Sequence, residues 1–485
     1  MEPTELFAQL AAEGAMIERL SSDSRRTSAG VAFFAYPGEG ADGRAHIGNA
    51  VAQGAAAVIW EEERFAWRPE WRVPNAPLRG LKQQAGRLAH EFYGRPSESL
   101  WMCGVTGTNG KTSCSHWIAA LLNKKNVASR VIGTLGSGIP GALQPMVNTT
   151  PDALEIHRLL KEFLSQKAEA VVMEVSSHGL AQGRVNGVAF DCALFTNLSH
   201  DHLDYHGSMD AYAQAKARLF DTAGLGAAVL NLDDPVGAQL AKRLTARGLR
   251  TIGYGLIGPY PEVKEFIAAK PLESGRVQID SSWGQAVAAI NQLGRFNVSN
   301  ALGVLGCLLA RGVPFKEGVD LLAALPPVPG RMERIADRPL VVVDYAHTPD
   351  AIDKVLQALR PLADERRGRL LAVFGAGGDR DATKRPLMGA VAARLADAVL
   401  VTSDNPRSED PLAIISQITK GIPGAHEVEP DRARAIERAV RSAASADVVL
   451  IAGKGHENYQ EVSGKRLPFS DAAVARAALA KRSAK

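Results

Sequence analysis

The stretch Cys103-Gly104-Val105-Thr106-Gly107-Thr108-Asn109-Gly110-Lys111-Thr112-Ser113 follows an apolar run and opens an amphipathic helix, the setting of a phosphate-binding loop. Glycines at 107 and 110 let backbone N–H groups point into one concavity, and the helix N-terminus adds its positive end. Lys111 then reaches the outer phosphates and Thr112 can ligate Mg²⁺. ATP is the natural guest. Strict Walker spacing would put glycine at 105, where this chain has valine, so the match is to the variant Thr-Gly-Thr-Asn-Gly-Lys-Thr.

Other residues able to do chemistry follow apolar runs. Glu174 ends Val171-Val172-Met173-Glu174, at the carboxyl edge of an expected strand, where α/β sheets bind ligands; there it could complete a Mg²⁺ shell with Thr112. The loop Asn197-Leu198-Ser199-His200-Asp201-His202-Leu203-Asp204-Tyr205-His206 packs histidines and aspartates together. Zinc is one reading of it. Mg²⁺ beside ATP, with one imidazole as ligand of a second ion, suits the context better. Lys216 falls in the middle of an expected helix, Ser208–Thr222, among alanines, a setting in which lysines are ordinarily solvated.

Four more clusters lie near the C-terminus: Asp344-Tyr345-Ala346-His347, Gly375-Ala376-Gly377-Gly378-Asp379-Arg380, Asp404-Asn405-Pro406-Arg407 and Gly453-Lys454-Gly455-His456-Glu457. Each follows an expected strand, so all four could line one crevice. The glycines at 375–378 lack the G-x-G-x-x-G spacing of a dinucleotide site.

These groups need scaffolds. At 485 residues the chain exceeds one hydrophobic core, and about three domains are expected. Short β-like runs at Val31–Ala35 and Ala55–Trp60 predict a small α/β domain over 1–98. From 99 to 329, strands at Ala170–Val175 and Cys192–Asn197 alternate with helices, predicting a doubly wound parallel sheet. One of those helices starts after Thr150-Pro151, with Thr150 as N-cap and an apolar stripe at Ile156, Leu159, Leu160 and Phe163. The irregular, β-like segment 251–292 reads as an elaboration on this sheet. Pro326-Pro327-Val328-Pro329-Gly330 breaks regular structure. Beyond it, over 330–485, strands at Leu340–Tyr345, Leu370–Phe374, Ala398–Thr402 and Val448–Ala452, with helices starting near Pro349, Lys384 and Pro411, predict a Rossmann-like third domain.

The formal net charge of +4 implies no strong field toward nucleic acid or membrane. Cys103, Cys114, Cys192 and Cys307 are scattered without metal-type spacing, which suits a reducing compartment. Without an N-terminal basic-then-apolar signal or a long apolar run, a cytoplasmic monomer acting on small molecules is expected.

Taken in order, Asp23-Ser24-Arg25, the 106–112 loop, Asn148-Thr149-Thr150, Glu174-Val175-Ser176-Ser177-His178-Gly179, Asp201-His202-Leu203-Asp204, Lys216, Gly294-Arg295-Phe296-Asn297, Gly330-Arg331-Met332-Glu333 and the C-terminal clusters resemble the Mur ligase family over nearly the whole chain. That resemblance implies an ATP-dependent amide ligase of peptidoglycan precursor synthesis, one that adds meso-diaminopimelate to UDP-N-acetylmuramoyl-L-Ala-D-Glu through an acyl phosphate. It implies that Ser22, Ser24, Glu39, Gly40 and Ala41 hold the uridine nucleotide. Asn148, Thr149, Thr150, Ser176, Gln182 and Arg184 would hold the muramoyl dipeptide, and Asn297 and Arg331 would complete the ATP site. A carbamylated Lys216, with Glu174 and His202, would bridge two Mg²⁺ ions, which reverses the surface reading of that lysine. Arg380, Asp404, Asn405, Pro406, Arg407, Gly453 and Glu457 match the positions that grip diaminopimelate. Rival readings are a lysine-adding or folylpolyglutamate-type ligase, against whose lysine the setting of Arg407 argues, and a regulatory P-loop ATPase.

Overall fold

The structure, a computed structural model, describes residues 2–272 and 276–483. Apolar runs bounded by turns become strands of three main sheets. The first is wholly parallel, in the order β1 (Arg19–Ser21), β2 (Val31–Ala35), β3 (Ala57–Glu61), β4 (Asn75–Leu78). β2 and β3 are buried throughout, as continuous apolar strands under helices must be.

The second sheet has eleven strands: β5 (Trp101–Thr106), β6 (Ser129–Gly133), β7 (Gly136–Ile139), β8 (Ala142–Gln144), β9 (Ala170–Glu174), β10 (Cys192–Phe195), β11 (Ala227–Asn231), β12 (Arg250–Gly255), β13 (Glu265–Pro271), β14 (Arg276–Ser281) and β15 (Gly284–Ala289). Their spatial order is β15-β14-β13-β12-β11-β10-β5-β9-β6-β7-β8. From β6 to β13 every pairing is parallel; both margins are antiparallel, so the expected parallel sheet is the middle of a mixed one. The margins are hairpins, whose short connections permit antiparallel pairing only. The irregular 251–292 segment is that extension. β5 lies between β9 and β10, where the winding direction reverses, so its carboxyl edge opens into the crevice that such sheets use for ligands.

The third sheet runs β16 (Glu333–Asp337), β17 (Leu340–Asp344), β21 (Val448–Ala452), β18 (Leu370–Phe374), β19 (Ala398–Val401), β20 (Glu427–Val428), parallel but for β16; a hairpin, β22 (Tyr459–Val462) and β23 (Lys465–Pro468), stands apart. Helices start at Pro349, Lys384 and Pro411 as the sequence predicts.

Two expectations need correction. The helix after Thr150-Pro151 spans Ala153–Ser165 and is capped by Asp152, whose carboxylate accepts from the Leu154 and Glu155 amides. Asp152 offers an acceptor at N-cap geometry; the Thr150 hydroxyl instead donates to the Glu174 carbonyl (2.9 Å) and accepts from the Ser176 amide. The scattered cysteines also converge: Cys103 and Cys192 are register partners on β5 and β10, and the helix Arg295–Ala310 brings Cys307 over them, with the three sulfurs mutually within 4.8 Å in the dry core.

Candidate active site

The loop after β5 curls because its backbone must. Gly107 has φ +146°, and a Cβ there would lie 1.9 Å from Thr196 Oγ1, so no other residue fits. Asn197 pins the turn: its carbonyl accepts from the Thr108 amide (2.8 Å) and its side-chain oxygen from the Asn109 amide (3.0 Å). The helix Lys111–Lys124 then begins, its free N–H groups facing the cavity.

Lys111 is folded back onto this loop, donating to the Gly107 carbonyl (2.9 Å) and the Thr108 carbonyl (2.9 Å). Burial depresses its pKa, opposed by Glu174 and Asp201. Thr112 donates to Glu174 Oε2 (3.0 Å) and accepts from Arg331 Nη2 (3.2 Å), an arm that reaches over from beyond the proline segment. Glu174 is fully buried; the Thr134 amide donates to its Oε1 (2.9 Å) and the Thr134 hydroxyl joins Thr112 on Oε2 (3.0 Å). Its carboxylate therefore has one orientation.

Lys216 is 1% exposed, not solvated: it lies with Tyr212 and Ala215 on the buried face of the helix Met209–Ala217, which Ser208 caps. Its amine donates to the Gly107 carbonyl (2.8 Å) and stands over the Tyr212 ring. Burial, together with the Lys111 cation, pushes its pKa well down.

His202 lies on the cavity wall, edge-on to His178 (4.8 Å between ring centres) and 3.4 Å from the Asp201 carboxylate. His206 turns away to the Ser177 hydroxyl (3.0 Å). Among the described residues this loop brings no three of its histidine and carboxylate donors within 4.8 Å of one another.

A single cavity of about 1030 Å³ joins these groups to the third sheet. Thr108, Asn109, Gly110, Lys111, Thr112, Ser113, Asn297 and Arg331 wall it around the glycine loop. Asn148, Thr149, Thr150, Glu174, Ser176, Gln182 and Arg184 wall the middle. Arg184 donates to Gln182 (2.8 Å) and to the Thr150 carbonyl (2.7 Å), and Gln182 to Tyr205, whose hydroxyl donates to Glu39 of the first sheet's unit (2.6 Å). Arg380, Asp404, Asn405, Arg407, Gly453 and Glu457 wall the far end.

The remaining candidates lie elsewhere. Gly107 and Lys216 sit beneath the floor. Ser22, Ser24, Gly40 and Ala41 stand outside the cavity, so only Glu39 of that set reaches it. Pro406 backs onto Gly378, where a Cβ would lie 1.9 Å from the Pro406 carbonyl. Arg407 adopts φ +53°, bonds its amide to the Glu461 carbonyl (3.0 Å) and points its guanidinium at the Gly378 carbonyl (2.6 Å).

Several wall residues were missed from the sequence. Thr134 follows β6, and its signal was a hydroxyl at a carboxyl edge. Lys384 opens the helix Lys384–Leu395, facing Asp201 across the cavity, and Asn300 lies one turn beyond Asn297. His347 donates through Nδ1–H to the Tyr345 carbonyl (2.8 Å), since a carbonyl only accepts, and this leaves Nε2 as its acceptor.

Comparisons with known proteins find one family along the chain. The Mur ligase family catalytic domain matches residues 16–93, the Mur ligase middle domain 105–308, and the Mur ligase glutamate ligase domain 330–455. A UDP-N-acetylmuramoyl-L-alanyl-D-glutamate–2,6-diaminopimelate ligase from Nitrosomonas europaea is 46% identical over 96% of this chain and 93% of its own. The ligase of that name from Pseudomonas aeruginosa is 48% identical over 99% of this chain and 98% of its own. A solved structure of such a ligase, 37% identical, superposes with a TM-score of 0.67 over 96% of this chain and 95% of that one.

Proposed function

The chain belongs to the Mur ligase family, and from that premise we propose that it is an ATP-dependent ligase joining meso-diaminopimelate to the D-Glu γ-carboxylate of UDP-N-acetylmuramoyl-L-Ala-D-Glu, in peptidoglycan precursor synthesis. The observation that carries this reading is one cavity with a phosphate loop at one end and Arg380, Asp404, Arg407 and Glu457 at the other. Three domains, 1–98, 99–329 and 330–485, would bring uridine nucleotide, ATP and amino acid respectively.

A carboxylate is a poor acylating agent at neutral pH, so it must first be activated. Transfer of the ATP γ-phosphoryl group to the D-Glu γ-carboxylate gives an acyl phosphate. The amine of diaminopimelate then attacks, phosphate leaves, and an amide remains. In this scheme Lys111 exchanges its two loop carbonyls for phosphoryl oxygens, and Arg331 supplies a second cation from across the cleft. Arg184, fixed by Gln182 and Thr150, orients the dipeptide. Closure of the third domain about the 326–330 segment excludes water from the acyl phosphate.

The donors fit Mg²⁺: the Thr112 hydroxyl and the Glu174 carboxylate are hard oxygens, side by side on the cavity face. Mg²⁺ bound there would neutralise charge on the migrating phosphoryl group, with His202 and Lys216 as further ligands. As an ammonium Lys216 cannot ligate, and as a neutral amine it offers a nitrogen where Mg²⁺ prefers oxygen. Carbamylation by CO₂ would make it an anion, which reverses its repulsion from Lys111 and gives the second ion oxygen ligands.

One assay tests the whole reading: phosphate release on the UDP-muramoyl dipeptide with no amino acid, with L-lysine, and with meso-diaminopimelate. Release that depends on diaminopimelate alone is the expected result. Equal release in all three would instead fit an ATPase uncoupled from bond formation.

A further inference from the structure

Asp404 and Asn405 leave the end of β19, and Gly453 and Glu457 leave the end of β21, yet these strands never pair because β18 lies between them. The backbone ladders tie each strand to β18 and leave the two outgoing loops unconnected. Several side chains span the gap, and one of them grips the backbone of both loops at their roots. Arg432, first residue of the helix Arg432–Ser442, is fully buried. Its Nη1 donates to the Ser403 carbonyl (3.2 Å) and its Nη2 to the Ala452 carbonyl (2.9 Å), the residues immediately before Asp404 and Gly453. Nε and Nη2 also take both oxygens of Asp471 (2.7 and 2.8 Å), and Nη1 stands 4.0 Å from Asp404 Oδ2.

The loops meet where this fork holds them. Gly453 has φ +116°, and a Cβ there would fall 2.4 Å from Asp404 Oδ2, so the carboxylate rests against bare backbone. Farther along, the buried Lys454 amine donates to Asn405 Oδ1 and Glu457 Oε2 (2.9 Å each), and Asn405 donates to the same Glu457 oxygen (2.8 Å). Arg432 itself does not reach the cavity.

We propose that Arg432, braced by Asp471, is a positioning residue whose planar fork fixes the Asp404 loop against the Gly453 loop and thereby sets affinity for the amino acid. This rests on the functional reading above, which places diaminopimelate between those loops. Lysine could not replace it, since a point charge cannot span two carbonyls and a carboxylate at once. Were the pair only a clamp between the helices Arg432–Ser442 and Asp471–Ser483, it would govern stability alone.

The test compares Arg432→Met/Asp471→Leu with Arg432→Lys. The double variant removes both members of the buried Arg432–Asp471 pair at once, and such replacements often preserve the fold. Both should keep KM for ATP and for the UDP-muramoyl dipeptide, while KM for meso-diaminopimelate rises, about tenfold or more in the double variant and less in Arg432→Lys. If the double variant does not fold, Arg432→Lys carries the same comparison. Amide exchange over 403–407 and 453–457 needs no substrate and should quicken in both. An unchanged diaminopimelate KM in a folded variant, all three constants rising together, or unchanged exchange in those segments would overturn the proposal. Wild-type protein lacking diaminopimelate-dependent phosphate release would sink the functional reading instead, and the exchange measurement would still decide the role of Arg432.

Discussion

The two ends of the cavity are built on opposite plans. The phosphate-loop end is built around one contiguous piece of chain, residues 106–113, shaped by its own backbone between β5 and the helix Lys111–Lys124, pinned by Asn197 and met by Arg331. The opposite end is gathered from the tips of β18, β19 and β21, with Arg385, Arg432 and Lys454 buried behind them as struts. A contiguous loop keeps its shape whatever happens a few residues away, so substitutions there should remove chemistry. An assembled site holds only as well as its struts, so substitutions there should weaken binding and leave chemistry standing.

The largest break in that contrast is Lys111→Ala. Loss of the cation that accompanies the phosphoryl group should lower kcat roughly 10³-fold or more, with the three Michaelis constants little changed. Single-turnover phosphate release checks it; near-normal ligation would remove the loop from the mechanism. Lys216→Ala comes next, with about 10²-fold or more lost, as when a group that orients metal ligands is removed. If the lysine acts as a carbamate, short carboxylic acids should restore part of the activity, and a failure of every such acid, together with an unmodified amine by mass spectrometry, would discard the carbamate.

The same contrast explains what could be read from the chain. Gly107, Gly110, Lys111 and Thr112 announce themselves because their spacing is local and backbone geometry demands it. Glu174 and Asp404 were legible because apolar strands are easy to find and their carboxyl edges face ligands. Lys216 was not, since nothing in an alanine-rich helix says which face turns inward; only the family pattern pointed to it. Arg432 and Asp471 lie 39 residues apart in sequence, and only the packing of two helices on one face of the third sheet makes them a pair. Thr150 misled because a threonine before a proline looks like a cap until Asp152, two positions on, is seen to fit better.

At the assembled end, Arg407→Ala should raise KM for meso-diaminopimelate about 10- to 100-fold while ATP affinity stays as it was. Diaminopimelate differs from lysine by one carboxylate at its far end. The Arg407 backbone, at φ +53° and tied to β22, would let its guanidinium present a fixed fork to that carboxylate and repel the ε-ammonium of lysine. Steady-state titration of each substrate measures the split. Equal use of L-lysine and diaminopimelate by the wild type would show that Arg407 does not choose between them.

The smallest effect sharpens the contrast most, because it concerns a strut alone. Glu409 accepts from both Nη1 and Nη2 of the buried Arg385 (2.8 Å each), and Arg385 in turn donates to the Gly377 carbonyl (3.1 Å), bracing the loop that carries Arg380. Hydrogen bonds from the guanidinium, against a small cost of burial, lower the Glu409 pKa from 4.5 to about 2. The carboxylate therefore stabilises the folded chain fully above its unfolded value, and the contribution disappears as pH falls from about 4.5 toward 2. Glu409 is 32% exposed, so solvent discounts the pair, and Glu409→Gln should cost about 1 kcal/mol at pH 7. Urea midpoints taken from pH 7 down to pH 3 should show a gap between the wild type and Glu409→Gln that is constant above about pH 4.5 and narrows below it without closing by pH 3. A gap that stays constant over that range would mean that the charge of Glu409 contributes nothing and that its geometry alone braces the loop.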